Sequence, residues 1–159
     1  KGLWVPAGAF RQRSSEATKQ YVVGEDGVKR TPEHTHMNGP DIFSFTIREV
    51  PPLVERTLAL AGWGKEQVDA FVLHQANKFI NDYLVKRMKL SPEKVPISLD
   101  DFGNTSSASI PLTIQHGLRD RVSKGPLRLL MAGFGVGLSW GAIASEVGPL
   151  VIPDIQYLP

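Results

Sequence analysis

The chain contains no cysteine. That excludes a disulfide framework, a thiolate metal site and a cysteine nucleophile within it. It fits a reducing compartment, and the cytoplasm is the expectation. No uninterrupted apolar run approaches the roughly 18 residues that a membrane-spanning helix needs, so no membrane partner is expected. The formal net charge is only +2, with both signs mixed along the sequence. Nucleic-acid binders concentrate basic residues in a patch or stripe, so no nucleic-acid partner is expected either. Internal repeats and low-complexity segments are absent. The start, Lys1-Gly2-Leu3-Trp4, has neither an initiator Met nor the shape of a signal peptide. It reads as an interior point of a longer chain: a fragment, a processed piece or one domain of something larger. His34 and His36 stand close together, but no third ligand is suggested nearby. A solvated loop is a plainer reading of them than a metal site.

What is present is an ordinary globular composition of 159 residues, 42% hydrophobic and 21% charged, enough for one domain with a real core. Leu3-Trp4-Val5 predicts a short strand. Tyr21-Val22-Val23 and Val28-Lys29 flank Gly24-Glu25-Asp26-Gly27, and the Asp-Gly pair supplies the positive φ of a tight hairpin. Thr31 to Pro40 reads as an exposed loop. From Asp41 the apolar spacing turns helical. Pro51-Pro52 predict a kinked helix or two helices, Asp41–Val50 and Leu53–Ala61, with Gly62 as C-cap.

Ala70 to Leu73 is a short apolar run, hence a strand, and it delivers His74 at its carboxyl end. An amphipathic helix, about Asn77 to Lys89, starts at once, with Ile80, Leu84 and Met88 four apart. Val95 to Leu99 predicts another strand. A polar loop holding Asn104 follows, then a helix with Ile110, Ile114, Leu118 and Val122, in which Pro111 is tolerated near the first turn. Leu127 to Ala132 reads as a strand covered on both faces. Gly133 to Gly137 makes a sharp turn, and Leu138 to Val147 is the last strand. The tail from Gly148 has three prolines and is expected to wrap the surface. The order predicts an α/β layer structure with a mixed sheet.

Three polar features sit at the carboxyl ends of predicted strands, where ligands collect in open α/β sheets: His74, the Asn104 loop and the glycine turn. Each has a plain structural explanation. The turn also fails the dinucleotide fingerprint, because the third glycine would fall at Leu138 and a strand follows. A serine hydrolase built on Ser107 or Ser139 with His74 and Asp100 lacks the Gly-x-Ser-x-Gly elbow.

Together, three stretches resemble one family. They are His74-Gln75-Ala76-Asn77, then Gly103-Asn104-Thr105-Ser106-Ser107-Ala108-Ser109-Ile110-Pro111-Leu112, then Gly133-Phe134-Gly135-Val136-Gly137-Leu138-Ser139-Trp140-Gly141. With Met37-Asn38-Gly39-Pro40-Asp41-Ile42-Phe43 upstream, they look like the C-terminal half of β-ketoacyl-acyl-carrier-protein synthase III. The resemblance runs from about Lys1 to Val147. It implies a C-terminal thiolase-like domain over 1–147, with 148–159 as a tail. The implied fold is one half of an αβαβα arrangement with a mixed five-stranded-type sheet.

The resemblance also implies chemistry. A cysteine in the N-terminal half takes an acyl group from a coenzyme A thioester. Malonyl-acyl-carrier protein then loses carbon dioxide, and its enolate attacks the acyl-cysteine. His74 and Asn104 match the family's histidine and asparagine, two neutral N–H donors suited to an enolate oxygen. Gly135, Val136 and Gly137 match the oxyanion loop. Val136 stands where many relatives have glycine, so the turn must leave a β-branched residue unstrained. Asn77 matches a residue near the pantetheine arm. Lys78, Lys86 and Arg87 lie where the family receives the acidic carrier protein, and Phe79 stands where relatives often carry arginine. No cofactor or metal is implied beyond the thioester substrates. The nucleophile is missing, so the chain alone is expected to be inactive in condensation. It is expected to associate with the missing half, or as a homodimer or hetero-oligomer. The competing reading is a non-catalytic partner subunit of a heteromeric condensing enzyme; the presence of both His74 and Asn104 weighs against it.

Overall fold

In the computed structural model, residues 2–157 are described. They separate into two units. One is the chain up to Phe45 with Gly135–Ser139; the other is Thr46–Phe134 with the chain from Trp140 on.

The first unit holds two small antiparallel pairs. β1 (Leu3–Trp4) pairs with β4 (His36–Met37), and β2 (Val22–Val23) with β3 (Lys29–Arg30) in register Val22↔Arg30. The Asp-Gly turn forms as expected: Gly27 has φ +74° and Asp26 Oδ1 accepts from Val28 N–H at 3.0 Å. The segment read as a loop from Thr31 to Pro40 is corrected, because it contains β4. His36 Nε2 lies 3.2 Å from the Thr31 carbonyl, and His34 Nδ1 accepts from Thr31 N–H at 3.2 Å. Both imidazoles are therefore tied to the backbone. Among the described residues no cluster of three metal-ligating side chains occurs.

Helix α1 (Gly39–Ala61) runs unbroken through Pro51 and Pro52. Of the two readings, a kinked helix or two helices, the chain forms a single helix, and the division at the prolines is dropped. Asn38 starts it, its Oδ1 accepting from Asp41 N–H at 3.1 Å. Val50, Val54 and Leu58 are buried at 0%, 0% and 5% exposure, a stripe continuous across the prolines. That burial outweighs the two N–H bonds that the prolines cannot make. Gly62, at φ +69°, donates to Ala59 O, and Trp63 donates to Leu58 O. This is the paired closure of a Schellman end.

In the second unit β5 (Ala70–Leu73) is buried at every residue. It runs parallel to β6 (Leu127–Gly135) with Ala70↔Leu129 and Leu73↔Ala132. β7 (Ser139–Val147) lies on the far side of β6, joined by three residues, so the sheet is mixed with order β5-β6-β7. It has three strands among the described residues, not five. One missing strand is the one expected at Val95–Leu99. Pro96 has no N–H to give, and the Ser98 N–H donates to the Gln75 side chain instead of a neighbouring strand. A short helix α3 (Leu99–Phe102) follows.

Helix α2 (Lys78–Met88) buries Ile80, Leu84 and Met88. Helix α4 (Ser109–Val122) lays Ile110, Ile114 and Leu118 against Ala70, Val72 and Leu129. Phe71 and Leu73 point to the opposite face by strand alternation and are equally buried. The proline-bearing tail runs along α4. Arg119 Nε donates to Ile152 O at 3.0 Å, Gln115 Nε2 to Pro153 O at 3.2 Å, and Arg119 pairs with Asp154. Its last two residues lie outside the described ones. No helix is long and apolar enough to cross a membrane among the described residues.

Candidate active site

His74 is the first residue past β5, and its N–H still donates to Ala132 O at 2.8 Å, continuing the parallel pairing. The sheet thereby sets where the imidazole emerges. The ring packs edge-on against Phe134, with centroids 5.3 Å apart at 85°. Its Nδ1 lies 2.7 Å from Ser109 Oγ, and Nε2 has no hydrogen bond among the described residues. Burial pushes the imidazole below its ordinary 6.5, so the ring is neutral at pH 7.

Asn104 lies in the same unit, in the loop between α3 and α4. Its Oδ1 accepts from Ser106 N–H at 2.9 Å and its Nδ2 donates to Ala76 O at 3.1 Å. A backbone N–H can only donate and a carbonyl can only accept, so the amide orientation is fixed. One Nδ2 proton is used and one is left over. Through Ala76 the loop is tied two residues beyond His74. Ser106 adopts φ +54°, a left-handed conformation that costs a serine about 1–2 kcal/mol, and the Asn104 turn holds it there.

Of the serines weighed as nucleophiles, Ser107 is exposed and Ser139 belongs to the other unit. Ser109 holds Nδ1 instead. At 1% exposure it is sealed from any substrate carbonyl. The sequence reading missed Ser109 because a serine at a helix start looks like a cap. Here the cap position is Ala108, and the Ser109 side chain points to His74.

Gly135, Val136 and Gly137 are in the other unit. Gly135 (φ +156°) and Gly137 (φ +135°) take the positive angles, and Val136 does not. At Gly137 the positive φ strains any side chain, and a Cβ there would also meet Ser139 backbone N at 3.0 Å, so glycine is required. The β-branched residue is unstrained and 67% exposed.

Asn77 caps α2: its Oδ1 accepts from Ile80 N–H at 2.8 Å. Asn77→Ala should lower stability by about 1 kcal/mol, read from urea midpoints, whereas Asn77→Asp keeps the acceptor and should lose far less. Equal losses in the two variants would show that the cap is not the source. Lys78 pairs with Asp82 at 3.2 Å. Lys86 and Arg87 are exposed in the last turn of α2, where cations complement the helix dipole, and make no ion pair among the described residues. Phe79 is 69% exposed on the same helix.

Residues 58–147 match the family model for the C terminal of 3-oxoacyl-(acyl-carrier-protein) synthase III. The chain is 45% identical over 114 residues to the β-ketoacyl-(acyl-carrier-protein) synthase III of Gloeobacter violaceus, covering 72% of this chain and 35% of that protein. To the Symbiobacterium thermophilum synthase III it is 40% identical over 147 residues, covering 92% and 42%. The crystal structure of a 3-oxoacyl-(acyl-carrier protein) synthase from Burkholderia xenovorans superposes with TM-score 0.82 at 45% identity, covering 94% of this chain and 41% of that one. The priming β-ketosynthase of the R1128 polyketide pathway superposes with TM-score 0.65 at 36% identity, covering 72% and 34%. The chain spans about two fifths of the length of the synthase III relatives it matches.

Proposed function

The chain belongs to the 3-oxoacyl-acyl-carrier-protein synthase III family, as its C-terminal region, and on that footing we propose that it is the C-terminal half of a decarboxylating acyltransferase. Its α/β arrangement is one half of a thiolase-like fold. In the proposed reaction a malonyl thioester on an acyl-carrier protein breaks its C–CO₂ bond. The electron pair passes to the thioester as an enolate. The enolate carbon attacks an acyl thioester on a cysteine, a C–C bond forms, and the cysteine thiolate leaves. That cysteine is supplied by a second half, since this chain has none.

The observation that carries the reading is a pair of neutral side chains, each with a nitrogen free to meet a substrate oxygen. Asn104 has an amide whose orientation is fixed and one Nδ2 proton unspent. His74 has a neutral imidazole with Nε2 open. Neutral donors suit an enolate oxygen, because they stabilise developing charge without protonating it. Gly135, Val136 and Gly137 are assigned to the oxyanion of acyl transfer. The unspent amide N–H of Asn77 is assigned to the pantetheine arm, and Lys78, Lys86 and Arg87 to the acidic carrier protein. The domain is taken to run to Val147 with 148–159 as its tail, and the cytoplasm is its assigned compartment. Association belongs to the same reading: Ile143 on β7 is 63% exposed and Trp140 46%, apolar surface that a second half or a second copy would cover.

Co-expression with a cysteine-bearing half should give condensation of an acyl-coenzyme A with malonyl-acyl-carrier protein, and this chain alone should give none. Absence of condensation from a stable, folded pair of halves sinks the enzyme reading. A clean monomer on sedimentation of this chain removes the association.

A further inference from the structure

Behind His74 lies a line of buried polar groups that no role above uses. Ser109 is 1% exposed, Gln75 and Thr113 0%, and Ser98 2%. Buried polar side chains are costly unless paired, and these four are paired with one another and with backbone. Gln75 Nε2 donates to Leu73 O at 2.8 Å, and its Oε1 accepts from Ser98 N–H at 3.1 Å. Ser98 Oγ lies 2.7 Å from Thr113 Oγ1, which donates to Ser109 O at 2.7 Å. Ser109 Oγ then lies 2.7 Å from His74 Nδ1. The path leaves the strand at Leu73 and returns to it at His74.

Counting protons gives the path a direction. Thr113 spends its single hydroxyl proton on the Ser109 carbonyl, so Ser98 donates to Thr113. The Ser109 hydroxyl also has one proton, and among the described residues Nδ1 is its only hydrogen-bond partner. Were Nδ1 protonated and donating, the Ser109 hydroxyl proton would be buried without an acceptor, at the full desolvation cost of the group. The hydroxyl therefore donates to Nδ1, and the ring proton sits on Nε2.

We propose that Ser109 is a positioning residue that holds His74 in its Nε2–H tautomer and fixes the ring plane, with Thr113, Ser98 and Gln75 anchoring Ser109 to the strand that carries His74. The proposal rests on the reading of His74 as an oxyanion donor. In the other tautomer Nε2 would turn a lone pair toward the enolate oxygen and repel the charge it has to stabilise.

Nitrogen-15 NMR of the imidazole in the 159-residue chain tests this without turnover. At neutral pH Nε2 should carry the proton and Nδ1 should show the shift of a hydrogen-bond acceptor. A proton on Nδ1 overturns the proposal. In the reconstituted enzyme, Ser109→Ala should lower kcat about tenfold, roughly what one hydrogen bond carries, with KM little changed. It should also move the Nδ1 shift toward that of a free acceptor. Ser109→Thr, which keeps the hydroxyl, should restore both. An unchanged Nδ1 shift together with an unchanged kcat in folded Ser109→Ala also overturns it. The two readings fail separately. Loss of condensation in the wild-type pair strikes the enzyme reading and leaves the tautomer standing, whereas an Nδ1 proton in an active enzyme leaves condensation standing and strikes Ser109 together with the donor role of His74.

Discussion

Replacing His74 by alanine in the chain joined to its cysteine-bearing half is expected to lower malonyl decarboxylation by about 10²–10³, the loss that follows removal of one preorganised oxyanion donor. On the proposed reading, such a donor is effective because its surroundings are fixed before substrate arrives. Strand pairing at Ala132 places the backbone, Phe134 stands at the ring edge, and Ser109 holds Nδ1. Water would reorganise around the developing charge; this group does not have to. The measurement is carbon dioxide release from malonyl-carrier protein, with the urea midpoint taken alongside to separate lost chemistry from lost folding. Full activity in a folded His74→Ala variant would remove the assignment. The same site has a pH signature. Burial depresses the imidazole below 6.5, so the neutral donor persists through neutral pH and any acid limb belonging to His74 lies below that value. The unfolded chain takes up the proton first. Stability governed by this group is therefore complete above 6.5 and is lost as pH falls toward the folded value.

Phe71→Ala is expected to cost about 3–5 kcal/mol, the range for emptying a packed aromatic site. Phe71 is 1% exposed at the centre of β5, the strand that delivers His74. Against a domain stability of about 5–15 kcal/mol, that loss is a substantial part of the margin and should be read as a large fall in urea midpoint. Leu60→Ala is the control: at 86% exposure it should shift stability by no more than about 0.5 kcal/mol. A Phe71→Ala loss as small as the control's would mean that β5 does not sit in the packed core described for it.

The two variants bear on different levels of the same sequence. The run Ala70 to Leu73 is legible as a strand because four consecutive apolar residues must be covered on both faces, and they are. The Asn77 cap is legible because its hydrogen bond closes within three residues, at Ile80 N–H. The hairpin at Asp26-Gly27 follows from a turn that needs positive φ. In each case the interaction that decides the structure lies within a few residues of the signal.

Where the reading failed, the deciding partner was distant. Val95 to Leu99 carries a strand-like pattern, but the Ser98 N–H was taken by Gln75, 23 positions away. Pro51 and Pro52 signal a break, yet a buried stripe on either side of them holds α1 whole. His36 looked like part of a loop until β1 paired with its strand. Ser109 looked like a cap until the fold set it beside a histidine 35 positions back.

By itself the sequence determined that His74 ends a strand and that Asn104 sits in a loop before a helix; their roles as neutral donors came with the family resemblance. Composition, apolar runs and caps are properties of neighbours along the chain. The tertiary structure alone decided what those two side chains bond. β5 had to pair with β6, and α4 to pack on Ala70 and Val72, before Ser109 could reach Nδ1 and Ala76 O could reach Asn104. Hydrogen-bond direction depends on distances between residues far apart in sequence, and those distances exist only once the chain has folded.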